Sequence, residues 1–336
     1  MEKYEIIIIG NGEPALACTF SAKHTYPDKN IAIIKNENAN PFVEELLLST
    51  TENLKNSVDV IYSEIDHRKE KTLYLKSGKE LQYEKLVLAT GSRAIEPPID
   101  GLHMRGVFLM NKNPDLIKKI RRKALSSENI IIYGGGYIGV ELCDELLHSG
   151  KRVTIIEKSK RLMPSSFDSE ISLKAKGLLE GLGGRVIMDT KLKSIWGTNK
   201  ITGVSLSNDQ TINCDFLMIC CGTRPNTEVA EKLGIIFDRD RGILIDGYFR
   251  TSDKDIFAVG DCAAKFDFFS SELANVLLHN AKMEEASLLG ANLYSVIFNR
   301  GRMIDYLTQK KNVKQRIKKE IKNIEAPNVT NNFISM

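Results

Sequence analysis

Two short glycine-rich stretches are the residues in this sequence best suited to chemistry. Gly10-Asn11-Gly12-Glu13-Pro14-Ala15 and Gly134-Gly135-Gly136-Tyr137-Ile138-Gly139 share the spacing G-x-G-x-x-G/A. A glycine turn between strand and helix lets the backbone approach a pyrophosphate closely, while the helix N-terminus adds unspent N–H groups and partial positive charge. The spacing alone is a weak signal, so its setting decides. Each copy follows an apolar run (Tyr4 to Ile9; Asn129 to Tyr133), opens a helical stretch, and returns through a turn to a second run (Ile31 to Ile34; Val153 to Glu157). That order is the βαβ unit the motif requires. Gly10, Gly12 and Ala15 are therefore predicted to shape one phosphate turn, and Gly134, Gly136 and Gly139 a second. Glu13 sets a negative charge near the first turn, and Pro14 is compatible only with the first turn of a helix.

A carboxylate at the end of the second strand of such a unit can accept both ribose hydroxyl protons and repels a 2′-phosphate. Glu157, 23 residues after Gly134, fills that position, which favours NADH over NADPH despite the nearby Lys158, Lys160 and Arg161. In the first copy the equivalent residue is Lys35, and Glu37 is the candidate for an adenosine ribose.

The echo extends beyond the turns. Leu86-Val87-Leu88-Ala89-Thr90-Gly91 is matched by Phe216-Leu217-Met218-Ile219-Cys220-Cys221-Gly222, each after an alternating segment; Gly10 to Gly91 is 81 positions and Gly134 to Gly222 is 88. Near-equal spacing predicts two α/β units of one architecture. Three prolines (Pro97, Pro98, Pro114) mark the region between them. If the run Asp255 to Asp261 returns to the first unit, the second is an insertion. The expected division is 1–112 with 244–295, an inserted 113–243, and a tail, 296–336.

These pieces, with Gly222-Thr223-Arg224-Pro225-Asn226 and Thr251 through Ile256-Phe257-Ala258-Val259-Gly260-Asp261, resemble the pyridine nucleotide-disulfide oxidoreductase superfamily over about residues 4 to 295. Ala281-Lys282-Met283-Glu284-Glu285-Ala286 with Gly290-Ala291-Asn292 looks most like the rubredoxin reductase and nitrite reductase flavoprotein branch. The resemblance implies two nested Rossmann-like domains, the first binding FAD and the inserted one NADH. It gives Asp261 the FAD ribityl chain, places Thr90 and Gly91 beside the FAD phosphate turn, and matches Glu141 to the glutamate that partners a lysine near the flavin. The implied activity is hydride transfer from NADH to FAD, then electron transfer to a carrier such as rubredoxin or ferredoxin. An NADH oxidase or quinone reductase is the first alternative, and a nucleotide-binding redox sensor or scaffold with little turnover the second.

The chain also departs from that pattern. Residues 35 to 60 contain no cysteine, and Cys143 stands alone on a helix, so a dithiol relay is not expected. Pro41 to Thr50 supplies the branch's aromatic, Phe42, without its arginine and lysine, leaving Glu141 without the family's partner. The family's C-terminal interface domain is expected to be absent or reduced to a short helical tail. Residues 300 to 322 hold nine Lys/Arg against two acids, a charge of +7 in a chain of net +4, so the remainder is near −3. Val313, Ile317, Ile321 and Ile324 fall at helical spacing among those cations, predicting a basic amphipathic helix that could attract a small acidic electron carrier. A catalytic core that binds nucleic acid is not indicated. Six scattered cysteines match neither a disulfide framework nor a metal site, and no apolar stretch reaches the roughly 18 residues of a membrane helix, so a cytoplasmic location is expected.

Overall fold

The computed structural model describes residues 1–36, 58–110, 114–164, 167–266 and 273–274. Glu37, the Pro41 to Thr50 stretch, the helical pattern from Ser271 to Tyr294 (apart from 273–274) and the basic tail lie outside the described residues.

The first βαβ unit is β1 (Glu2–Ile9), α1 (Glu13–Thr25) and β2 (Ile31–Lys35), followed by β3 (Val58–Tyr62). A meander of β4 (Ile65–Lys69), β5 (Thr72–Leu75) and the long β6 (Glu80–Leu88) comes next. These strands form one sheet in the order β3-β2-β1-β6-β5-β4, parallel from β3 to β6 and antiparallel in the meander. The sequence of β6 explains its double use. Its first half alternates, with Leu81 and Tyr83 buried beside exposed Glu80 and Glu84; its second half, Leu86-Val87-Leu88, is buried throughout. Alternation suits the stretch that joins the antiparallel meander, with one face toward solvent, whereas a continuous apolar run suits a parallel strand covered on both faces.

From β6 the chain crosses through β7 (Ser92–Ala94) to β8 (Val107–Leu109), α2 (Pro114–Leu125), β9 (Asn129–Tyr133), α3 (Tyr137–His148), β10 (Arg152–Ile156), α4 (Ser169–Gly181) and β11 (Arg185–Ile187). An antiparallel sheet of β12 (Leu192–Gly197), β13 (Ile201–Leu206) and β14 (Thr211–Asn213) precedes β15 (Phe216–Ile219). The second parallel sheet has the order β11-β10-β9-β15-β8. It is sandwiched. Ile130 and Ile132 of β9 pack with Cys143, Leu146 and Leu179 of the helices, while Ile131 and Tyr133 pack with Ile195, Val204 and Leu206 of the antiparallel sheet. Val107–Leu109 already pairs with β15, so the chain enters the second sheet before the boundary expected at 112/113.

After β16 (Thr223–Pro225), α5 (Glu228–Lys232), β17 (Phe237–Asp238) and β18 (Gly242–Leu244), the chain reaches β19 (Ile256–Ala258). β19 returns to the first sheet and pairs parallel with Leu86 to Leu88 of β6, so the second sheet is nested within the first. β20 (Ala263–Phe266) then pairs with β18 and with β21 (Leu273–Ala274).

Charges fasten this returning strand. Asp255 accepts from Lys71 Nζ at 2.7 Å and Lys85 Nζ at 2.5 Å, and Arg68 donates to Asp253 at 2.6 Å and to the Tyr83 hydroxyl at 3.3 Å. The two lysines hold the Asp255 carboxyl down at about 2. A depressed carboxyl pKa stabilises the fold above the ordinary value and stops doing so as pH falls through the folded one. Replacing Asp255 by Asn is therefore expected to cost on the order of 1 kcal/mol or less near neutrality, since both lysines are half exposed. In urea titrations at several pH values, the gap between variant and natural chain should close between about pH 4 and pH 2; a gap that persists below pH 2 would contradict this account.

Candidate functional site

At the end of β1, Gly10 lies against the end of β6: a Cβ built on it would sit 2.3 Å from Ala89 O and 3.0 Å from Ala15 Cβ. Ala15 is itself fully buried, so Gly10 and Ala15 seat the turn by close packing. Gly12 differs. A Cβ there would meet only Pro14 Cδ at 3.7 Å, and Gly12 is the N-terminal cap of α1 with no side-chain capping bond. Pro14 occupies the first turn, as its chemistry requires, and packs against the turn Gly260–Cys262: a Cβ on Gly260, where φ is +76°, would lie 2.8 Å from Pro14 Cγ. The next residue, Asp261, is buried and accepts from Ser92 Oγ at 2.9 Å. Val259 N–H donates to Leu88 O at 2.9 Å, so β6, the first glycine turn and the Asp261 turn converge.

The second turn repeats this logic more tightly. A Cβ on Gly134 (φ +114°) would fall 2.3 Å from Cys220 O, and one on Gly139 only 1.9 Å from Gly134 O. Gly136 caps α3 without a side-chain bond and has open space in place of a Cβ, so it matches Gly12. By contrast α4 is closed by its own side chain, Asp168 accepting from Ile171 N–H at 2.9 Å. The two turns differ in what they leave for an outside acceptor: in α1 Pro14 has no N–H and the Ala15 N–H donates to Gly12 O at 3.1 Å, so Glu13 is the one donor of its first turn, whereas α3 opens on Tyr137 and Ile138 before Val140 N–H donates to Gly136 O at 3.0 Å.

Glu157 lies at the end of β10 as expected, but it is 5% exposed and its oxygens are already used. Oε2 accepts from Gly135 N–H at 2.6 Å and Oε1 from Ser159 N–H at 2.7 Å. Met163, held at φ +48°, donates its N–H to Gly135 O at 2.7 Å. Gly135 is thereby fixed through both its backbone groups, and a Cβ on it would collide with Leu162 and Glu157. Each carboxylate oxygen carries a second lone-pair direction, so ribose contact is compatible with these bonds. Glu141 is exposed on α3, one turn beyond Tyr137, whose hydroxyl pKa is raised by partial burial and by the Glu141 charge. Lys35 is buried at the end of β2.

Thr90 and Gly91 are joined to the far motif. Thr90 Oγ1 donates to Asn226 O at 2.8 Å, Asn226 Nδ2 donates to Thr90 O at 2.8 Å, and Asn226 N–H donates to Gly91 O at 2.9 Å. Around them β7 and β16 pair antiparallel, Thr223 opposite Ala94. Ser92 directly follows Thr90-Gly91, and Asn226 closes the segment from Gly222; nothing in their spacing along the chain gives these bonds.

The thiols are poor nucleophiles. None is paired in a disulfide, and burial pushes Cys143, Cys214 and Cys220 up to about 12 and Cys221 up to about 11, while the fully buried Cys262 is raised by the same cause.

Comparison with known proteins fits this geometry. The family model for pyridine nucleotide-disulphide oxidoreductases matches residues 4–284, and the chain belongs to that family. Rubredoxin-NAD(+) reductase of Pseudomonas putida is 32% identical over 225 residues, 66% of this chain and 57% of that protein. The nitric oxide reductase FlRd-NAD(+) reductase of Escherichia coli O127:H6 is 31% identical over 186 residues, 55% of this chain and 48% of that one. The chain thus spans about half the length of the curated relatives it matches. An FAD-dependent pyridine nucleotide-disulphide oxidoreductase from Desulfovibrio vulgaris has a TM-score of 0.70 at 26% identity, covering 86% of this chain and 70% of that one. The ferredoxin reductase for the CYP199A2 system of Rhodopseudomonas palustris shares the fold, with TM-score 0.75 at 24% identity over 85% and 75% of the two chains.

The two kinds of glycine should separate by mutation. Gly10→Ala meets the Ala89 carbonyl and is expected to lower stability by about 1–3 kcal/mol, whereas Gly12→Val, facing open space, should melt like the natural chain in the absence of ligand and lose dinucleotide binding. Thermal melts with and without added FAD distinguish the cases, and equal flavin retention in Gly12→Val would count against the assignment. For the thiols, iodoacetamide at pH 7.5 should leave Cys143 unmodified in the folded chain; stoichiometric labelling there would show a thiolate the burial argument denies.

Proposed function

We propose that the chain is an NADH-dependent FAD oxidoreductase, working in the cytoplasm, that passes electrons to a small carrier protein of the rubredoxin or ferredoxin kind. The observation that carries this reading is the pair of uncapped glycine turns, each with one glycine facing open space, joined through Thr90, Gly91 and Asn226. The names of the relatives, reductases acting between NAD(+) and rubredoxin or flavorubredoxin, support it. In this reading residues of the first sheet, with the return from about residue 244, hold FAD, and the nested sheet holds NADH, the crossing falling before Val107.

Gly12 and the Glu13 N–H at the start of α1 would receive the FAD pyrophosphate, and Asp261, oriented by Ser92, would bind the ribityl hydroxyls. Gly136 and the start of α3 would receive the NADH pyrophosphate, with Glu157 on the ribose. Bound flavin supplies acceptance of a hydride and release of its electrons singly. The chain's own contribution is alignment and exclusion of water, because no thiol is available and hydride transfer needs no acid or base. Glu37, proposed for the adenosine ribose, and Glu141, proposed as the match of the family's glutamate near the flavin, complete the set.

The test is direct: protein purified with FAD should be yellow, and anaerobic NADH should bleach the flavin band faster than NADPH by tens-fold. Bleaching equal with both nucleotides would refute the preference, and none at all would refute the function. Reoxidation as fast by oxygen or quinone as by a carrier would point to an oxidase or quinone reductase. Glu157→Gln replaces an acceptor with a donor facing the Gly135 or Ser159 N–H group, and is expected to weaken NADH binding about tenfold, the equivalent of one lost charge-assisted bond. An unchanged Kd for NADH would remove Glu157 from the site.

A further inference from the structure

The hydrogen bonds around Asn226 join the two glycine turns by a short covalent and polar path. Ala89, whose carbonyl packs on Gly10, is followed directly by Thr90 and Gly91. Cys220, whose carbonyl packs on Gly134, is followed by Cys221 and Gly222, and Gly222 O accepts from Ile95 N–H at 3.0 Å. Between these strand ends stands Asn226, giving its side-chain N–H to Thr90 O and its backbone N–H to Gly91 O, and taking the Thr90 hydroxyl on its own carbonyl. Arg93 donates to Asn226 Oδ1 at 3.2 Å and pairs with Glu228. Both chain crossings bend at glycines in the left-handed region, Gly91 at φ +70° and Gly222 at φ +100°. Such turns are permissive, so their angle must be set by other contacts.

We propose that Asn226 is a positioning residue that fixes the angle between the two dinucleotide turns, and with it the alignment of nicotinamide against flavin. The inference rests on the FAD and NADH reading above. The side chain must donate to Thr90 O while accepting from Arg93, and only a neutral amide of this length does both. Asp keeps the acceptor and sets a carboxylate against the Thr90 carbonyl; Ala removes both bonds. Neither change alters the glycine turns themselves, and the backbone bond from Asn226 N–H to Gly91 O stays available, so the expected loss is of geometry, with flavin content as the control for the Thr90 bond. Misplacement of about 1 Å between reacting groups can slow a reaction by about a hundredfold.

The experiment uses Asn226→Ala and Asn226→Asp in the full chain loaded with FAD. Flavin content and the Kd for unreactive NAD+ should stay within about twofold of the natural protein, while NADH-driven bleaching in stopped flow slows about tenfold or more. Amide hydrogen exchange of the protein without nucleotide supplies a second readout: residues 90–95 and 222–226 should exchange faster, with β1 and β9 unchanged. A bleaching rate within twofold of natural in an FAD-loaded variant overturns the proposal, as does a loss explained wholly by weaker NADH binding. If both variants lose FAD, the clasp serves flavin retention and the proposal is likewise overturned. Absence of bleaching in the natural chain would instead strike the functional reading, while the exchange result would still report on the clasp.

Discussion

Where Gly134 ends its strand, the carbonyl of Cys220 from the adjacent strand occupies the space in which a side chain would begin, and Gly139 sits closer still to Gly134 O. The same intrusion occurs at Gly10 from Ala89. Backbone touching backbone at these points draws each helix in against the ends of two parallel strands and fixes where its N-terminus opens. Any larger residue would push helix and strand apart and turn the donors elsewhere. The other members of the site take their positions from this contact: Pro14 from the helix it opens, Gly260 from Pro14, and Asp261 from Gly260.

Legibility in the sequence followed the range of the physics. The turns were readable because a run such as Glu5 to Ile9 followed by Gly10-x-Gly12 has one common structural use, and the return of Ile256 to Ala258 was readable because a third apolar run followed the second unit. The two α/β units came from those local patterns, and their nesting from the family resemblance. What escaped was set by tertiary contact. Val107-Phe108-Leu109 is too short to announce itself as a strand and gains its place only from pairing with β15. Asn226 sits in a recognisable segment, yet its bonds to Thr90 span 136 positions and leave no periodicity to detect.

Glu157 has a structural load whatever it binds. Spacing marks it as a candidate ribose ligand; the structure adds that it holds the Gly135 and Ser159 amides. Burying a carboxylate is costly unless its lone pairs are met, and those amides meet them. A residue so tied cannot swing away, and its position is set by the loop from 157 to 163 as a whole.

The shared edge of β6 bears on how the chain is made. All five strands of the nested sheet exist once residue 219 has been synthesised, whereas the edge of β6 along Leu86 to Leu88 waits for Ile256 to Ala258. A chain emerging from the ribosome at about 5–20 residues per second can complete its inner sheet while the outer one still shows an open parallel edge. The order of maturation is therefore inverted relative to the order of translation, and the half that starts first is finished last. Through that interval the exposed flank of β6 is an adhesive surface for neighbouring nascent chains, and the Lys85 charge beside it acts as a gatekeeper against pairing with the wrong strand.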